Sequence, residues 1–80
     1  MIKEFEHYFA WTDAMKYEMG YAGLIGYQSK AINGTARMLW VLAPNITSEF
    51  VAEEYADNML DQIRDINRFG KVIYSDGVTL

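Results

Sequence analysis

The sequence predicts an α+β fold: a small antiparallel sheet, ordered β-β-β-α-β, with one amphipathic helix packed on one face. Three observations predict it. The dipeptide Asn33-Gly34 lies between two apolar stretches and marks a hairpin, because both residues tolerate positive φ. Apolar residues spaced by threes and fours over residues 47–69 mark a helix. Alternation of Phe5, His7, Phe9 and Trp11 with polar neighbours marks a strand. With 80 residues the chain has room for one compact domain, 1–80. Its 51% hydrophobic content and 15% aromatics exclude a disordered tail. The absence of cysteine excludes a disulfide or zinc-thiolate miniprotein.

The first strand is expected at 2–11, followed by a turn or one helical turn. Ile2, Phe5, Phe9 and Thr12 also fit a helical period. The glycines at 20, 23 and 26 favour strands here, since three in seven residues weaken a long helix more than a bulged strand. The second strand then starts near residue 18 and runs into the hairpin, which occupies 20–43. A two-residue Asn33-Gly34 turn sets Ile32 opposite Thr35, Lys30 opposite Arg37, Gln28 opposite Leu39 and Tyr27 opposite Trp40. One face then carries Ile25, Tyr27, Ser29, Met38, Trp40 and Leu42. The other carries Leu24, Lys30, Arg37, Leu39 and Val41. If the helix covers the Tyr27–Trp40 face, Leu24, Leu39 and Val41 point away from it.

Pro44 and Asn45 break the chain before the helix. Thr47 is the expected N-cap, with Ile46 and Val51 as a hydrophobic staple. Val51, Ala52, Tyr55, Ala56, Met59, Ile63, Ile66 and Phe69 form the apolar stripe. Gly70 is the expected stop. Lys71-Val72-Ile73-Tyr74-Ser75 reads as a short last strand, 71–75, and Asp76-Gly77 as a turn.

The formal net charge is −4. Residues 47–69 hold six acids and two bases, which sum to −4, and the rest holds five of each, which sum to zero. Glu49, Glu53, Asp57, Asp61 and Asp65 recur every fourth residue, with Glu54 beside them. Like charges at that spacing oppose each other by a few tenths of a kcal/mol per pair. Such a row is either an ordinary solvated helix face or a ridge that docks in a basic groove and speeds association. The apolar outer sheet face, with Leu39 and Val41, is the second candidate interface, unless the N-terminal segment folds over it. Tyr17 and Tyr21, in the glycine-rich stretch, are candidate contacts because tyrosine combines rigid area with a polar tip.

Enzyme signals are poor. There is one histidine, no cysteine nucleophile and no serine in a nucleophile-elbow setting. The glycines lack the Lys-Ser/Thr of a P-loop. No cofactor or metal is expected. The acidic balance argues against direct nucleic-acid binding, and no run is apolar enough for a membrane helix. The charged first residues do not resemble a signal peptide, so a cytoplasmic location is expected. The expected function is a non-enzymatic inhibitor or adaptor. It binds a larger protein, such as one with a basic nucleic-acid groove, through the acidic ridge, the exposed sheet face or both. One alternative is a structural homodimer whose sheet face or edge completes the core. The other is a small enzyme or ligand-binding module with a pocket of Tyr17, Tyr21 and Trp11.

Overall fold

The computed structural model describes residues 1–31, 33–43 and 45–75. The expected Ile32–Thr35 pairing, the break at Pro44 and the turn at Asp76-Gly77 lie outside the described residues. The elements are β1 (Ile2–Glu4), β2 (Tyr8–Tyr17), β3 (Gly20–Ser29), β4 (Ala36–Val41), α1 (Glu49–Asp61), β5 (Ile63–Ile66) and β6 (Val72–Tyr74). The class is α+β, as the sequence predicts. The order is longer by two strands: an antiparallel meander β1-β2-β3-β4, then α1, then a β5-β6 hairpin.

The extra strand at the N-terminal end arises at Phe5. Its N–H donates to the Tyr8 carbonyl at 2.8 Å, and its ring is buried in the core. The chain therefore reverses between β1 and β2, and the expected single strand 2–11 becomes two, with Ile2 opposite Trp11. Beyond that reversal β2 runs on to Tyr17. Glu18 and Met19 then make a two-residue turn closed by the Tyr17–Gly20 pair. Glu18 takes φ 53°, a conformation that crowds its Cβ. Glu18→Gly is expected to raise stability by about 0.5–1 kcal/mol, because the relieved crowding exceeds the added unfolded-state entropy. A higher urea midpoint at unchanged slope checks it.

The β3–β4 register differs from the one expected. Tyr27 lies opposite Arg37, Ile25 opposite Leu39, Leu24 opposite Trp40 and Gly23 opposite Val41. The ladder ends at Gln28–Ala36, and the connection is longer than two residues. Asn33 does take positive φ, 65°, but the turn closes through the Gly34 N–H on the Ala31 carbonyl at 3.0 Å. Relative to the Tyr27–Trp40 pairing the shift is three residues. An odd shift exchanges the faces of a strand. Leu39 and Val41 therefore turn toward the helix, with Val41 buried and Leu39 packed on the core. Met38 and Trp40 turn outward.

Ser48, not Thr47, caps α1: its hydroxyl accepts the Val51 N–H. The helix covers β2 and β3 through Ala52, Ala56 and Leu60, while Val51 and Tyr55 from the expected apolar stripe stay exposed. Small residues let it come close: a methyl carbon on Gly23 would lie 2.5 Å from the Ala52 carbonyl oxygen. The helix ends at Asp61 rather than 69. Lys3 of β1 reaches its C-terminal end, donating to the carbonyls of Leu60 (3.3 Å), Asp61 (3.4 Å) and Ile63 (2.7 Å). Residues 63–66 form β5, whose ladder with β6 is interrupted by a bulge between Ile63 and Asp65. The bulge inserts one residue, so Ile63 and Ile66 face the same way although three apart. Both are fully buried, with Phe5, Tyr8, Ile25, Tyr27, Leu60 and Val72. Gly70, at φ 82°, serves the β5–β6 turn instead of stopping a helix.

Burial raises the pKa of the Tyr74 phenol above its usual value, and neighbouring Tyr27 raises it further. The neutral phenol is thus favoured by the fold. Its contribution is complete below pH ~10 and is lost as pH rises through the raised pKa. Tyr74→Phe is expected to flatten the alkaline side of the stability profile, measured by urea unfolding between neutral pH and pH ~11.

Candidate functional site

The sheet face opposite the helix is built by strand alternation. β2 places Phe9, Trp11, Asp13, Met15 and Tyr17 on it, and β4 places Met38 and Trp40. Between them, β3 contributes small residues at Gly20, Ala22 and Gly26, with Leu24 among them. The small residues of β3 make a trough between the two flanking strands, and the large side chains of β2 and β4 lean over it and fill it. Trp11 lies directly over Gly26: a Cβ there would meet its indole at 2.3 Å. Tyr17 and Trp40 meet with ring centroids 5.7 Å apart, tilted by 50°. These side chains shield Leu24, which is only 5% exposed although the helix lies on the other face.

Apart from Trp11, which is partly buried, the large apolar residues that β2 and β4 place on this face are about half exposed, from Tyr17 at 41% to Met38 at 53%. No element among the described residues covers them, and β1 flanks the face instead of folding over it. Two charged strand residues belong to this face among the described residues, Glu4 and Asp13. Glu4 is ion-paired with Lys30, whose ammonium stands 4.9 Å from the Phe9 ring centroid. Asp13 is exposed and makes no ion pair among the described residues. One of its oxygens accepts the Ala14 N–H at 2.8 Å.

The acids of the expected ridge separate into groups. Glu49, Glu53 and Glu54 are exposed on α1, and so is Asp61 at its end. Asp57 is half-buried and accepts the Thr12 hydroxyl at 2.6 Å, so it ties the helix to β2. Asp65 lies on β5, outside the helical row. The helix still carries five acids and no base. Phe50, 74% exposed, stands among them and lines a shallow hollow with Glu53, Glu54 and Asp57. This ridge is on the far side of the sheet from the trough.

Tyr17 and Tyr21 share a cleft of about 360 Å³ with Leu42, Asn45 and Ile46 at one end of the sheet. Trp11 does not line it, so this cleft is not the Tyr17–Tyr21–Trp11 pocket that the ligand-binding alternative calls for. Glu18 is the one charged residue lining the cleft among the described residues. The described residues hold no group of three or more metal-ligating side chains, and no helix among them is long and apolar enough to cross a membrane.

Sequence reasoning missed Phe9, Trp11, Met15, Met38 and Trp40 as one surface and put Leu39 and Val41 there instead. The signal was present along β2. Its odd positions are large while Ala10 and Ala14, at even positions, are small, and a helix approaches closely only over small residues. Compared with known proteins, the chain matches no family model, no curated protein and no solved structure, so the surface itself carries the functional argument.

Proposed function

We propose that the chain is a non-enzymatic protein-binding module, an adaptor or inhibitor, that docks on a larger protein through the outward face of its sheet. The observation that carries this is the trough of half-exposed aromatic and methionine side chains on β2 and β4. An antiparallel sheet facing water normally alternates to polar residues on that side. Aromatic and methionine side chains are enriched at interface centres, and methionine adapts its shape to a partner. The acidic helix, on the opposite side, acts through its field: it raises the encounter rate with a basic partner without touching it.

The test is a pull-down with tagged protein at low and moderate salt. A protein retained by wild type and by Glu49→Lys/Glu53→Lys, but lost with Trp40→Asp, supports face docking. Retention by Trp40→Asp, with loss in the helix variant, rejects it in favour of the ridge. A second reading rests on β4, the last strand of its sheet, whose far edge pairs with nothing among the described residues. Pairing of that edge with its copy gives a homodimer. Light scattering after size exclusion decides: a monomer at tens of micromolar removes this reading.

A further inference from the structure

We infer that the outward face over this trough takes a basic residue, arginine or lysine, set in an apolar segment of a partner protein, with Asp13 as its counter-charge. This rests on the reading of that face as the docking surface. Asp13 stands mid-strand on β2, two residues from Trp11 on one side and from Met15 on the other. Leu24 is opposite it, and Trp40 follows on the next strand. Aspartate is among the poorest strand residues. Covering this face with purely apolar groups would bury its carboxylate without a partner, which strongly opposes binding. A cation from the partner reverses that effect. Trp11 and Trp40, which share this face with Asp13, offer a guanidinium or ammonium a π-face.

The same face already holds this arrangement once, satisfied from within. At its other end Lys30 pairs with Glu4 and stands over the Phe9 ring. Around Asp13 the ring and the carboxylate are present and the cation is not, among the described residues. A second copy of the chain meeting it face to face does not supply it. Lys30 is engaged by Glu4, and two copies face to face would bring together two Asp13 carboxylates and two chains of net charge −4. The occupant with matching chemistry is a different protein, basic and apolar along one segment.

The experiment selects a random peptide library, displayed on phage, against immobilised wild-type protein. Recovered peptides are expected to carry arginine or lysine beside apolar residues, and Trp40→Ala should weaken their binding. Asp13→Asn, which is nearly isosteric and exposed, should weaken it about tenfold. Selection against Asp13→Lys should instead recover acidic peptides. Peptides that depend on Trp40 but carry no basic residue, or ignore Asp13→Asn, overturn the inference and leave face docking standing. If no recovered peptide depends on Trp40, both fall. The wild-type selection reads the chemistry by itself, so the result does not hinge on how any variant folds.

Discussion

Gly23→Val is expected to cost about 3 kcal/mol or more, a large share of the stability of so small a domain. The helix crosses the sheet where β3 has no side chain. A Cβ at position 23 would lie 2.5 Å from the Ala52 carbonyl oxygen and 3.0 Å from the Ala56 Cβ. The nearest atom belongs to the helix backbone, so no rotamer change relieves the clash and α1 must lift as a unit. Lifting it opens the contacts of Ala52, Ala56 and Leu60 together. Gly23→Ala already meets the same oxygen and should cost about 2 kcal/mol, even after the strand's entropic gain from alanine. Ala56→Gly should not rescue it, because it removes the farther of the two obstacles. Urea unfolding of the single and double variants measures this. Full rescue by Ala56→Gly would show that the Ala52 carbonyl is not the limiting contact.

Lys3→Met should cost about 2 kcal/mol, although position 3 lies on a three-residue strand at the sheet edge. Methionine keeps an apolar stem and removes the ammonium. The final turn of α1 carries no basic residue of its own. Its negative end is met by Lys3, which donates to the Leu60 and Asp61 carbonyls and to that of Ile63 in β5, and lies 57–60 residues away in sequence. Removing it leaves those carbonyls short of a donor and the helix end without a counter-charge. Amide exchange in residues 58–62 should accelerate more than in the first helical turn. Equal acceleration at both ends would place the loss elsewhere.

The α+β class, the central hairpin and, to within a residue of its cap, the start of the helix were legible because each has a local signal. Turn dipeptides, a capping serine or threonine and a period of three and four act over short distances. The errors arose where one local pattern serves two structures. Ile63 and Ile66 are three apart, a helical spacing, yet a bulged strand presents both to the core equally well. The Asn33-Gly34 pair forecast a tight turn, and the longer connection moved β4 by three residues, exchanging Leu39 and Val41 for Met38 and Trp40. Asp57 belongs to the acidic row by spacing, but its hydrogen bond from Thr12 depends on how helix and sheet meet. Nothing within a few residues of either encodes that meeting. Tyr17 remains on the candidate surface by both routes, since its place on β2 does not depend on the β3–β4 register.

Residues 22–27 of β3 are all buried, although the helix covers only one side of the sheet. The other side is closed by the rings of β2 and β4 themselves. Sequence change in this strand therefore disturbs two layers at once, one against the helix and one beneath the trough. The flanking strands have no such double constraint on their outward positions. Substitutions at the half-exposed Phe9, Met15, Met38 or Trp40 are therefore expected to cost less stability than substitutions within residues 22–27 of β3. Tolerance to substitution on the outward side is thus expected to alternate strand by strand, not face by face.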